Sequence, residues 1–422
     1  MPRDAAGDLA FLADLARDPA RPLAPSDRAA LALASRALIE ADAAVMRLGG
    51  KAGRLGECIA ATGLLEAVLA ALQHTGHATI PIHLVVDGGA ADLFDAASYH
   101  ARGWPGFRVS PVPPDAALDL RALANRLLET ALSPRHLLAL DMHGGHDGLP
   151  RIERISVPDA KGDRSITILA DLARTGLRAY AVRGPDRRYA DFVEDLFSLP
   201  RDAVASDAAQ PRILLSDADD ARYPSLAGTL GLDPRALLIV CFFQSVVVAK
   251  CYERWDEVLA LLCERAAAAL PGQRLDILVA CGPDDQQPPG FAQADLADWL
   301  GGFTGTRGNA RVRLAAIPVL RDLAIVLRHA ALTLANDTGP GHLSGALGIP
   351  TITPYLPGDL YSRQVWASTP HHHGLTLDPN PYTHPQIEAA VIFDRTDIIN
   401  RIPPDELADL AFAHILAAAR YQ

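Results

Sequence analysis

LTLANDTGPGHLSGALGIPTITPY (Leu332–Tyr355) reads as strand, turn, helix and strand in quick succession. The apolar run Leu332–Asn336 stops at Asp337, Thr338-Gly339-Pro340-Gly341 make the turn, His342–Leu347 is a helix of small residues, and Pro350–Pro354 is the next strand. A strand that feeds a helix and then another strand predicts a parallel sheet with right-handed crossovers. Pro340 suits a first helical turn. Such a turn offers backbone N–H groups and a positive helix end to an anion, and Gly339 and Gly341 allow a phosphate close to the main chain. The same residues also read as an ordinary capped turn, with Asp337 as the cap and His342 as a satisfied polar side chain.

The alternation extends on both sides. Upstream lie strand Ala236–Phe243, helix Tyr252–Ala269, strand Leu275–Cys281, helix Ala292–Leu300, strand Val312–Ala316 and helix Leu320–Ala330. The first half repeats the rhythm with strand Ala43–Leu48, the loop GGKAGRLGE, a helix from Glu57 to Gln73, strand Ile80–Val86 and strand His136–Asp141. Between the halves Ser198–Arg212 is polar and bears proline, as a linker does. The pattern predicts two doubly wound α/β domains facing across a cleft, 43–205 and 206–400, with a helical extension 1–42 packed outside them and a C-terminal helix 401–422. Ligands in such sheets sit at the carboxyl ends of the strands.

Composition narrows the function classes. The 422 residues include 39 basic and 50 acidic side chains, a formal charge of −11. That balance argues against broad nucleic-acid binding and against electrostatic docking on anionic membranes. With 49% hydrophobic and 21% charged residues, both domains can bury cores. No apolar run reaches the roughly 18 residues of a membrane span. The five cysteines form no C-x-x-C pair and sit in apolar stretches, which predicts reduced, buried thiols and a cytoplasmic protein. Only three of the basic residues are lysines, Lys51, Lys161 and Lys250, so each is singled out in a chain that otherwise uses arginine.

The pattern D-T-G-x-x-H-L-x-x-A-L-G-x-P, carried by Asp337, Thr338, Gly339, His342, Leu343, Ala346, Leu347, Gly348 and Pro350, resembles the signature of glycosyltransferase family 9, the heptosyltransferases. The resemblance spans about 43–415 and implies the GT-B fold, two Rossmann-like domains. It also implies that this turn binds the diphosphate and sugar of a nucleotide-sugar donor, typically an ADP-heptose. The segment FFQSVVVAKCYERW (Phe242–Trp255) is similar to the family's loop in which a Lys and a following Trp precede a helix. It implies Lys250 on the donor phosphates, with Gln244 and Ser245 in the same loop. ILVACGPDD (Ile277–Asp285) resembles the strand whose following carboxylate holds the ribose, here Asp285 with Asp284 as its rival.

In GGKAGRLGECIAATGLL (Gly49–Leu65) the family places an Asp as general base, and this chain has Glu57. Glu57 also reads as a carboxylate beside its own helix N-terminus. Lys51 and Arg54 in the same loop suit an anionic acceptor or a donor phosphate, and Asp141 and His143 lie in DMHGGHDG, which is similar to the family's D-x-x-G loop facing the cleft; these four are the acceptor-binding candidates. His143 and His146, and His371-His372-His373 with Asp378 and His384, have spacings that raise a metal, but no third ligand is evident, and a polar loop near the acceptor entrance is the reading for each. Asp217-Ala218-Asp219 reads as an acidic surface turn. The expectation is an inverting glycosyl transfer with no metal or other cofactor and an ADP-sugar as substrate. Partners are that donor and a small-molecule or saccharide acceptor, with no nucleic acid and no integral membrane association. The acceptor is read as a soluble natural-product intermediate such as an aminoglycoside or nucleoside. The alternatives are a lipopolysaccharide inner-core heptosyltransferase and, in another class, a non-catalytic nucleotide-sugar-binding protein or a sugar-nucleotide epimerase.

Overall fold

The computed structural model describes residues 3–49, 55–112, 134–142, 150–157, 164–281, 305–357, 369–377 and 382–420. It divides into two compact units, Met1–Leu214 and Leu215–Gln422. The first contains β1 (Arg3–Asp8), α1 (Leu12–Arg17), α2 (Pro25–Glu40), β2 (Ala43–Leu48), α3 (Leu55–His74), β3 (Ile82–Asp87), α4 (Ala96–Ala101), β4 (Phe107–Val112), β5 (His136–Asp141), β6 (Arg151–Val157), β7 (Arg164–Ala170), α5 (Leu172–Ala179) and α6 (Arg188–Leu196). Its strands form one sheet in the order β1-β6-β7-β5-β2-β3-β4. From β7 to β4 all pairs are parallel, while β6 runs antiparallel to both β7 and β1.

Two expectations fail in this unit. Residues 3–8 are not helical: β1 is a strand, paired with β6 from Arg3 opposite Ile155 to Asp8 opposite Arg151. Nor does 1–42 lie outside the fold, because α2 packs on β5, β6 and β7 and buries Leu31, Ala34 and Leu38. The segment read as a linker, Ser198–Arg212, also belongs to the first unit. Ala209 is buried, and the Arg212 N–H donates to Thr62 Oγ1 of α3 at 3.0 Å. α3 is the one helix among the described residues with the length and apolarity of a membrane span, yet 78% of its apolar window is buried within the protein.

The second unit contains α7 (Asp217–Asp220), α8 (Tyr223–Leu230), β8 (Leu237–Phe242), α9 (Trp255–Ala269), β9 (Leu275–Cys281), β10 (Gly305–Arg307), β11 (Ala310–Ala316), α10 (Leu320–Arg328), β12 (Leu332–Ala335), α11 (Gly339–Ala346), β13 (Thr351–Pro354), β14 (His372–Leu375), α12 (His384–Ile392) and α13 (Pro404–Ala419). The strand order is β10-β11-β9-β8-β12-β13-β14, parallel except for β10 against β11. All six residues of β8 and all seven of β9 are buried, as expected for parallel strands covered on both faces. α13 is part of this core, burying Leu407, Ala408, Ala411 and Ile415.

In each sheet the chain reverses its direction of travel once. From β8 it runs through β9 to β11 on one side, whereas β12, β13 and β14 lie on the other. From β2 it runs through β3 to β4 on one side, and β5 and β7 lie on the other. The crevices at the carboxyl ends of β8/β12 and β2/β5 are therefore the switch points at which such sheets bind ligands.

Candidate active site

At the β8/β12 switch point two loops meet. One leaves β8 through Phe243, Gln244 and Ser245, makes a short 3-10 turn at Val248–Lys250 and enters α9 at Trp255. The other leaves β12 through Asn336 and Asp337 and enters α11, whose N-cap is Thr338. Helix α11 starts at Gly339, three residues earlier than the sequence suggests, because the Gly-Pro-Gly turn is itself the first helical turn. Gly341 is needed there: a Cβ would lie 3.2 Å from the Ala335 Cβ beneath it.

The Lys250 Nζ donates to Asp337 Oδ2 at 2.5 Å, and His342 Nε2 lies 3.4 Å from Asp337 Oδ1. Asp337 is thus no helix cap; it is a buried carboxylate held between Lys250 and His342. Burial by itself would raise its carboxyl, but Lys250 and then His342 overcome this and hold it well below the usual carboxylate range. Gln244, Ser245 and His342 are buried as well. Among the described residues, the buried Thr338 Oγ1 and His342 Nδ1 have no hydrogen-bond partner. Gly339 and Gly341 supply first-turn backbone of α11, so the glycine turn, Lys250, Gln244, Ser245, Asp337, Thr338 and His342 are all brought to one switch point. Asp284 and Asp285 lie outside the described residues.

The histidine run is not a polar loop. His372 opens strand β14, opposite Thr351 of β13, and is buried with its ring edge-on to His342 at 5.2 Å between centroids. Burial first, then the neighbouring His342, pushes its pKa down to about 3, so the ring is neutral. Sequence reading missed His372 and Asn336 as site residues. A polar side chain ending a buried strand was the available signal for Asn336.

At the β2/β5 switch point Glu57 stands in the first turn of α3, and Asp141 ends β5. Arg47 of β2, directly opposite Asp141 in register, pairs with it at 3.7 Å. A cation in the apolar strand AAVMRL marked this position. Lys51, Arg54 and His143 lie outside the described residues. Asp219 accepts from Ser216 N and Oγ, both at 2.8 Å, and from two Arg321 nitrogens. Against burial, Arg321 and Ser216 bring its carboxyl down to about 2, so Asp219 is committed to a helix cap and an ion pair, while Asp217 is exposed. Among the described residues no group of three potential metal ligands occurs. All five cysteines are buried and none is in a disulfide.

No curated protein matches the sequence. Among solved structures, the fold is similar to a glycosyl transferase family 9 protein from Veillonella parvula, with a TM-score of 0.57 and 15% identity over 90% of this chain and 98% of that one. It is also similar to the ADP-heptose LPS heptosyltransferase II of E. coli, with a TM-score of 0.51 and 12% identity over 89% of this chain and 99% of that one. Both likenesses bear out the GT-B-like class of two parallel-sheet domains. Residues 165–384, just over half of the chain, match glycosyltransferase family 9 (heptosyltransferase). The chain belongs to that family and is a glycosyltransferase.

Proposed function

We propose that the chain moves a heptose or a related sugar from an ADP-sugar to a hydroxyl acceptor, with inversion at the anomeric carbon and without a divalent metal. The observation that carries this reading is the convergence of Lys250, Asp337, His342 and the α11 N-terminus at the β8/β12 switch point. A diphosphate there meets an ammonium and a helix dipole of the sign it needs. The structural likeness to an ADP-heptose enzyme supports the choice of donor.

In the proposed reaction Glu57 accepts the proton of the acceptor hydroxyl, and that oxygen forms its bond to the anomeric carbon. The bond from that carbon to the phosphate oxygen breaks and its electron pair leaves with ADP. Lys250 and the α11 amides stabilise the charge on the departing diphosphate, a service that matters most where charge develops. The acidic balance and Glu57 in place of an Asp favour a soluble natural-product acceptor. The second reading, a lipopolysaccharide inner-core acceptor, is favoured by the likeness to heptosyltransferase II.

The test is calorimetry of ADP, UDP and GDP in EDTA on wild type and Lys250→Ala. ADP-selective binding that Lys250→Ala abolishes is expected. Absence of nucleotide binding, or indifference to Lys250, overturns the donor assignment. Product NMR with ADP-heptose then reads inversion directly, and efficient transfer to deacylated core oligosaccharide decides for the second acceptor reading.

A further inference from the structure

We infer that Asn336 is a positioning residue that holds the Lys250 loop by both of its ends. The side chain is fully buried at the end of β12. Its Nδ2 donates to the Phe243 carbonyl at 2.7 Å, where the loop leaves β8. Its Oδ1 accepts from the Tyr252 N–H and from the Trp255 indole Nε1–H, each at 3.1 Å, where the loop enters α9. Its own backbone N–H continues the sheet to the Phe242 carbonyl at 2.9 Å. One side-chain amide therefore closes residues 244–251, the stretch that carries Gln244, Ser245 and Lys250.

The chemistry requires an amide. Only Asn or Gln combines an N–H donor with an oxygen that has two lone pairs. An aspartate would set an anion against the Phe243 carbonyl, and a leucine would take the Asn336 partner from the Tyr252 N–H and the Trp255 indole N–H. Trp255 is fully buried, stacks on Phe243 with ring centroids 4.8 Å apart, and spends its single N–H on Asn336. The next residue along from Asn336 is Asp337, the partner of Lys250. One strand end thus fixes the ends of the cationic loop and supplies the counter-ion that aims its ammonium.

This inference rests on the donor reading for its effect on binding, and a nucleotide-free arm separates the two. Trp255→Phe keeps an aromatic ring beside Phe243 and removes the N–H together with the rest of the five-membered ring, a packing loss that the stability cycle cancels; Asn336→Ala removes the whole clamp. Trp255→Phe is expected to weaken ADP binding about three- to tenfold, the size of one lost buried hydrogen bond. Without nucleotide, the losses of thermal stability from Trp255→Phe and Lys250→Ala should be less than additive. Unchanged ADP affinity in Trp255→Phe, or losses that add in stability, would make Asn336 merely structural and overturn the inference, even if Asn336→Ala does not fold. Failure of wild type to bind ADP would sink the donor reading alone, and the stability cycle would still decide the clamp.

Discussion

Lys250 and Asp337 are 87 positions apart in the chain, yet the ammonium of one rests 2.5 Å from the carboxylate of the other, with both side chains largely out of water. Neutralising one member of such a pair leaves a bare buried charge, which costs about 3–5 kcal/mol. Lys250→Met should therefore lose stability as well as nucleotide binding. Adding Asp337→Asn should restore most of the stability and none of the binding. Urea unfolding and calorimetry on the single and double variants separate the two effects; a double variant as unstable as Lys250→Met would contradict this account.

Glu57→Gln keeps the size and the helix position and removes the base. Turnover should fall by roughly two to four orders of magnitude, the usual yield of general-base catalysis, with ADP affinity unchanged. Single-turnover kinetics alongside calorimetry check this. Full turnover in Glu57→Gln would move the base elsewhere.

Acid should loosen the second unit through His372. Its ordinary value is 6.5 and its folded value about 3, so between these the unfolded chain binds a proton that the folded chain refuses. Stability is then complete above pH 6.5 and drains away as the pH falls toward 3, by up to about 1.4 kcal/mol per pH unit. The Asp337 carboxylate adds its own loss only below its ordinary 3.8. The rings of His342, His371 and His373 and the Asp337 carboxylate act on His372 and stay in place in His372→Phe. That variant should flatten the slope between pH 6.5 and 5 in urea titrations, and an unchanged slope would refute the assignment.

Gly63 sits in α3 where the Tyr189 ring crosses it. An added Cβ would lie 2.5 and 2.7 Å from two Tyr189 ring carbons and 2.9 Å from Pro211 Cδ. Gly63→Ala should cost about 1–3 kcal/mol by overpacking, despite the better helix propensity of alanine. Differential scanning calorimetry reads this as a lower Tm, and a raised Tm would mean that Tyr189 moves aside freely.

The parallel strands were legible because burial on both faces writes uninterrupted apolar runs: Leu275–Cys281 and His136–Asp141 have the limits their sequences suggest. The strand-to-helix turn was legible because an apolar run ends at it and a Gly-Pro-Gly sequence opens the helix that follows. β1 was not, since RDAAGD has neither alternation nor β-branched residues and owes its conformation to pairing with β6. Strand β14 was hidden for the same reason, three histidines reading as polar surface until the β13 backbone recruits them. The role of Asn336 depends on partners as many as 93 positions away, a relation that no local spacing records.

The pairing of β1 with β6 sets a timetable for biosynthesis. Arg3 meets Ile155, so β1 must wait on the ribosome for a segment about 150 residues behind it. At roughly 5–20 residues per second that delay is about 8–30 s. For that interval β1 is an unmatched peptide beside a growing chain, and once β6 emerges its outer edge is open until β1 returns to it. A strand made well before its partner is thus laid down late, and removal of Arg3–Asp8 would present β6 as a bare edge to its neighbours.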